Sequence, residues 1–100
     1  MLKQVRIQAD GIVVDADRST HVTKRQGNDG PDKVQWIRTP GNSGTFRVHF
    51  DSSPFMAGPQ DFPVPGPPSG GASQPVGSYK YSVFNANNVV TDDPDVDIDS

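Results

Sequence analysis

The sequence contains no cysteine and no glutamate, and it has a single leucine among its 100 residues. Without cysteine there is no disulfide, no thiolate nucleophile and no thiolate metal ligand. Glutamate and leucine favour helices, so their scarcity argues against a helical protein. No apolar run approaches the roughly 18–20 residues that a membrane-spanning helix needs, and no apolar stretch typical of a signal peptide follows Met1.

The residues that are abundant favour strands and turns. There are 12 valines and four isoleucines, which suit half-buried pleated surfaces, and 12 aspartates, ten glycines and ten prolines, which suit turns. The hydrophobic fraction of 32% predicts a thin core. The length and composition therefore predict one all-β domain over residues 1–100.

Alternation of apolar and polar residues marks the strands. In the clearest example Phe46, Val48 and Phe50 point to one side of the chain, while Arg47 and His49 point to the other. Turn residues separate the segments, notably at 15–19, 27–31, 40–44 and 85–88. We predict a small Greek-key β-sandwich of about seven strands, within residues 4–9, 12–14, 20–25, 33–39, 45–50, 79–84 and 95–99.

A long segment rich in proline and glycine separates the fifth and sixth of these strands. Residues 51–77 contain seven prolines, so a central strand is not expected there. We predict a long loop over 54–77, pinned to the core by Phe55, Met56, Phe62 and Val64. Polyproline II structure in 62–68 would instead make a ligand for an SH3-type domain, but the PxxP pattern alone is a weak signal.

The charge of the chain is uneven. The net charge is −3, with a balance of +3 over residues 1–50 and −6 over residues 51–100. In a sandwich the two halves interleave, so these charges are expected to neutralise one another across neighbouring strands. An acidic chain is a poor ligand for phosphates, and we expect neither nucleic acid nor a membrane as a partner. A native Met1 would favour the cytoplasm, whereas a removed export signal would mean secretion.

Taken in order, several segments resemble a cupredoxin-like domain. They cover most of the chain and comprise Asp10–Val14, Val34–Trp36, Gly44–Phe50, Tyr79–Val83 and Asp95–Ile98. The resemblance rests on spacing and on aromatic positions, and it implies a fold rather than a function.

The same resemblance shows what is missing. Blue-copper members carry a histidine at the position of Gly44, a cysteine near Val83, and a histidine and usually a methionine in the following loop. Residues 85–94 contain none of these types. Because such a centre needs the thiolate and two imidazoles, we expect no copper, no other cofactor and no electron transfer.

Other clusters can be read in two ways. His21, His49 and Met56 would make a weak surface metal site, but two ordinary surface histidines are the simpler interpretation. The aspartates of 92–99 offer oxygen ligands for calcium, yet they alternate along a strand and lack a wrapping loop, so a charge-protected edge is favoured. No motif selects a nucleophile for His49, and we expect no enzymatic activity.

The function classes that remain are recognition of a partner and assembly. We expect a non-catalytic, metal-free module that binds a protein partner or itself. A sandwich that binds a small ligand or carbohydrate, and a metal-handling protein with a degenerate site, are the alternatives. The candidate binding residues are aromatic, although a domain this poor in apolar residues should keep most of them in its core: Trp36, Phe55, Phe62, Tyr79 and Tyr81.

Overall fold

The computed structural model describes residues 1–14, 18–25 and 30–100, and within them every regular element is a strand. The predicted turns at 15–19 and 27–31 lie largely outside these residues. The eight strands are β1 (Leu2–Ile7), β2 (Ser19–Thr23), β3 (Lys33–Arg38), β4 (Phe46–Phe50), β5 (Gln60–Val64), β6 (Gly77–Asn85), β7 (Val90–Asp92) and β8 (Asp95–Asp99).

The smaller of two sheets consists of β1 and β3, which run parallel with Val5 opposite Trp36. Other segments cover both of its edges. Along β1, the Val14 amide donates to the Arg6 carbonyl oxygen at 3.0 Å. Along β3, the Ser69 amide donates to the Val34 carbonyl oxygen at 2.7 Å, so this backbone acceptor at the edge is satisfied.

The larger sheet has the strand order β2-β8-β6-β4-β5, with β7 pairing with β6 beside β8. β2 and β8 are parallel, whereas β6 is antiparallel to β4, β7 and β8. β6 is long enough to pair with β8 through its first half and with β4 through its second half. The described residues thus form an all-β sandwich of eight strands, close to the predicted seven.

The core lies between the inner faces of the two sheets, as the alternation predicts. Every second residue of β4 is buried, namely Phe46, Val48 and Phe50. Trp36 of the smaller sheet lies among aromatic rings from the rest of the domain, with ring centroids 5.0 Å from Phe62, 5.4 Å from Tyr81, 5.8 Å from Phe50 and 6.4 Å from Phe55. Such edge-to-face and tilted contacts stabilise a core beyond the area that they bury.

The segment predicted as one loop over 54–77 is ordered and contains β5. Phe55, Phe62 and Val64 are buried as predicted, whereas Met56 is exposed. β5 escaped prediction because Pro63 lies within it, but β5 is an edge strand, where a residue without an amide proton is tolerated. The remainder is fixed by backbone hydrogen bonds, for example from the Ala72 amide to the Asp32 carbonyl oxygen at 2.8 Å.

Two short segments differ from prediction. Residues 12–14 were expected to form a strand, but Val13 makes only an isolated antiparallel bridge with Ile7. β7 was not predicted, because three residues next to an Asn-rich turn carry too little alternation to be recognised. Both segments lie at the same end of the sandwich.

Candidate functional site

The candidate aromatic residues lie mainly inside the domain. Trp36, Phe55, Phe62 and Tyr81 are buried, as expected of most of them, and Tyr79 is half-buried with its hydroxyl donating to the Pro75 carbonyl oxygen at 2.5 Å. All eight aromatic residues are in the described part of the chain. The remaining half-buried ring, Phe84, is covered by the Arg47 guanidinium at 4.1 Å from its centroid. The aromatic side chains therefore offer little open surface for stacking.

The end of the sandwich that carries the turn after β6 is tightly built. Asn85 Oδ1 accepts hydrogen bonds from the Asn87 and Val89 amides at 3.0 and 3.1 Å, and Asn88 has a left-handed φ of 63°. Asparagine tolerates this conformation better than most residues, and it lies in the turn predicted at 85–88. The turn places Val89 and the start of β7 at the surface.

Asp92 ties this end together. Its carboxylate accepts hydrogen bonds from Arg18 at 2.6 Å and from the Val13 amide at 2.9 Å, and its side chain is only 7% exposed. Burial by itself raises the pKa of Asp92. The hydrogen bonds from Arg18 and from the Val13 and Asp93 amides outweigh that effect and hold the pKa below its ordinary value. Asp92 is therefore a fixed anion that joins three segments.

Exposed aliphatic side chains lie at the same end. Ile12 is 38% exposed, Val89 55% and Val90 52%, and we call these three residues the apolar rim. The segments that carry them are adjacent, because Thr91 Oγ1 donates to the Gly11 carbonyl oxygen at 2.8 Å. These residues were not predicted from the sequence as candidates for binding. Two consecutive valines directly after a turn were the available signal.

A second feature lies on the outer face of the larger sheet, around His49. Its Nδ1 is hydrogen-bonded to Asp61 Oδ1 on β5, and its Nε2 lies 2.9 Å from Asp51 Oδ1 just beyond β4. The hydrogen bonds with Asp61 and Asp51 raise the pKa of His49, while burial opposes the change. His49 is therefore more readily charged than an isolated histidine.

The neighbours of His49 superficially resemble a hydrolytic triad. Asp61 and Ser82 lie directly opposite His49 on the two flanking strands. In a triad, however, the imidazole nitrogen that faces away from the acid must reach the serine hydroxyl. Here that nitrogen is hydrogen-bonded to Asp51. The arrangement therefore gives Ser82 no base.

A shallow depression of about 200 Å³ lies beside this histidine. It is lined by His49, Asp51, Lys80, Tyr81, Ser82 and Asp93. Binding sites for small molecules are usually larger, at about 300–1,000 Å³, and mostly apolar. The depression is small and polar by comparison.

The other histidine and the acidic final strand are paired with each other. His21 Nδ1 lies 3.1 Å from Asp99 Oδ2, and its Nε2 lies 3.9 Å from Asp97 Oδ2 on the adjacent β8. The carboxylates approach different nitrogens and so do not converge on one point. In residues 1–14, 18–25 and 30–100, no group of three or more His, Cys, Asp or Glu side chains is placed to hold a metal ion.

Comparisons with protein-family models, with curated proteins and with solved structures give no match. Among the described residues there is also no helix of the length and hydrophobicity required to cross a membrane.

Proposed function

We propose that the chain is a non-catalytic, metal-free binding module that docks a second copy of itself or another protein through the apolar rim. The observation that carries the proposal is that three exposed aliphatic residues, Ile12, Val89 and Val90, lie on two segments joined by the Thr91–Gly11 hydrogen bond at one end of the sandwich. Single exposed aliphatic residues are ordinary, whereas exposed apolar residues that lie together mark interaction sites.

We propose a cupredoxin-like scaffold for this module. In its favour, two strand pairs are parallel, β1 with β3 and β2 with β8. Immunoglobulin-type sandwiches consist of antiparallel sheets, so the parallel pairs favour another Greek-key class. The resemblance in sequence, from Asp10–Val14 to Asp95–Ile98, points to the cupredoxin class.

The rigidity of the rim also supports docking. Both neighbours of Ile12 are held by hydrogen bonds. The Gly11 carbonyl oxygen accepts one from the Thr91 hydroxyl, and the Val13 amide donates one to the Asp92 carboxylate. Arg18 holds the same Asp92 carboxylate. A surface that is already ordered loses less conformational entropy when a partner binds, so these contacts favour affinity.

Substitution of the rim valines tests the proposal. Val89→Asp combined with Val90→Asp places two charges in the rim, whereas Val76→Asp places one charge on an equally exposed valine (56%) before β6. β6 spans nine residues, so Val76 and Val89 are separated by about 30 Å along the sheet. Sedimentation velocity over a wide range of concentration should show self-association of the wild type and of Val76→Asp, but not of the rim variant.

A monomeric wild type would rule out self-association and leave another protein as the partner. In that case the three proteins are compared as baits in cell extract. A species retained by the wild type and by Val76→Asp, but lost with the rim variant, is expected. Equal retention by all three proteins contradicts docking through the rim.

A small ligand or carbohydrate is a second candidate, because the depression beside His49 carries several hydrogen-bonding groups, including Lys80 and Ser82. A glycan array and a thermal-shift screen test this candidate, and the absence of binding in both would exclude it.

The metal-handling alternative is tested by titrating zinc and copper while the imidazole NMR signals of His21 and His49 are followed. Unchanged signals would remove that alternative.

A further inference from the structure

His49 faces two carboxylates that come from different parts of the fold. Asp61 belongs to β5, and Asp51 begins the segment that leads from β4 to β5. An ionised carboxylate only accepts hydrogen bonds, whereas neutral imidazole has one donor and one acceptor nitrogen. Both contacts can form as hydrogen bonds only when both nitrogens carry protons. The geometry therefore fits the imidazolium form of His49.

The other charges on this face do not compete strongly for His49. On the same strand, Arg47 lies 3.2 Å from Asp61 and also donates to Asn88 at 2.7 Å. On β6 the facing residue is the neutral Ser82, and Phe84 presents its ring 6.5 Å from the imidazole.

Lys80 and Asp93 also line the depression. Lys80 Nζ lies 3.9 Å from the Asp93 carboxylate, so their charges partly offset each other. The two carboxylates in contact with the ring dominate the electrostatics of His49.

These contacts matter because β5 lies at the edge of the sheet. β5 pairs with β4 on one side and contains Pro63, which supplies no backbone donor. It also carries Phe62, whose ring packs against Trp36 at 5.0 Å. An edge strand is among the first elements to open locally, so side-chain contacts that cross from β4 to β5 should affect how often it opens.

We propose that His49 is a proton-controlled clasp on this edge. As imidazolium it holds β5 through Asp61 and the segment after β4 through Asp51, and as neutral imidazole it releases Asp51. Asp51 is the carboxylate released, because it is 99% exposed and Asp61 remains paired with Arg47. The raised pKa of His49 is consistent with this arrangement. The clasp is independent of the apolar rim and stands whether or not the rim binds a partner.

Hydrogen exchange of the β5 amides tests the clasp. In the wild type, the opening equilibrium derived from protection factors should increase about two- to fivefold as the pH rises through the titration of His49, which is the range expected for exposed ion pairs. In His49→Gln the opening should be constant over the same range. His21→Gln is the matched control on the opposite edge of the sheet, and it should behave as the wild type.

A second variant separates the clasp from a general loss of stability. In Asp51→Asn the side-chain amide can donate to the neutral Nε2, while Nδ1–H still donates to Asp61. The contact with residue 51 should then survive deprotonation, and the β5 opening should depend less on pH than in the wild type, without increasing in acid. In the wild type, imidazole nitrogen NMR shifts should show that the proton leaves Nε2.

Three results would overturn the proposal. They are a pH-independent opening of β5 in the wild type, an equal pH dependence in His49→Gln, and loss of the proton from Nδ1 instead of Nε2.

Discussion

The hydroxyl of Thr91 donates a hydrogen bond of 2.8 Å to the carbonyl oxygen of Gly11, a residue 80 positions earlier in the chain. The contact is possible because Gly11 has no side chain. A Cβ at Gly11 would lie 2.2 Å from Thr91 Oγ1. Gly11 also has a φ of +83°, which disfavours any other residue. The Asp10-Gly11 pair is a turn signal in the sequence. Its glycine also allows the segment around residue 11 to approach Thr91 closely.

Gly11→Ala should destabilise the domain strongly, by about 2–5 kcal/mol, because it adds backbone strain to a steric overlap. Gly41→Ala is the matched control, since Gly41 has a φ of +82° and no atom lies within 4 Å of the point that a Cβ would occupy there. Chemical denaturation of both variants should show a clearly larger loss for Gly11→Ala. Equal losses would mean that the contact with Thr91 is not tight.

Asp92→Asn should lower stability by about 1–3 kcal/mol, because it removes a charge-assisted hydrogen bond to Arg18 in a nearly buried position. Asp93→Asn alters a carboxylate that is 72% exposed, and it should have a small effect. Urea unfolding at neutral pH provides the comparison.

The stability contributed by Asp92 should also depend on pH. Since the pKa of Asp92 is lower in the folded protein, its contribution is complete above the pKa of the unfolded chain and is lost as the pH falls through the folded value. The difference between the wild type and Asp92→Asn should therefore shrink in acid. If the difference in stability between the two proteins grew below about pH 4, the lowered pKa of Asp92 would be contradicted.

Trp36→Ala should cost about 3–5 kcal/mol, because it leaves a cavity among four aromatic rings. Trp36→Phe should cost less, in part because Trp36 Nε1 is buried with no hydrogen-bond partner in the described part of the chain, so no such bond is lost. Phe84→Ala, at a half-buried ring on the outer face, is the control. If Phe84→Ala lowered the free energy of unfolding as much as Trp36→Ala does, that result would contradict the packing described.

The stability that His49 contributes should depend on pH in the opposite direction to that contributed by Asp92. Because the folded pKa of His49 is raised, its contribution is complete below the unfolded value of about 6.5 and is lost as the pH rises through the folded value. The melting temperature of the wild type should exceed that of His49→Gln by roughly 1–5 °C in mild acid, and the two should converge in alkali. A gap that widens with pH would contradict the imidazolium assignment.

Much of the fold was predictable because period-two alternation follows from strand geometry alone. The burial of Phe46, Val48 and Phe50 and the position of β8 both follow from this pattern. β5 was missed because proline usually signals a loop, and only the strand order places it at an edge. The apolar rim was missed because alternation predicts which residues face the core, but not which exposed ones are brought to the same end of the fold.

The sequence by itself determined the class of the protein. An abundance of valine, aspartate, glycine and proline, without glutamate or cysteine, specifies short strands and frequent turns with neither disulfides nor thiolate metal sites. Tertiary structure alone decided that Thr91 meets Gly11 and that His49 lies between Asp51 and Asp61. Local preferences act over a few residues, whereas these contacts depend on which strands become neighbours. That choice is made by burying the inward apolar faces of the strands together.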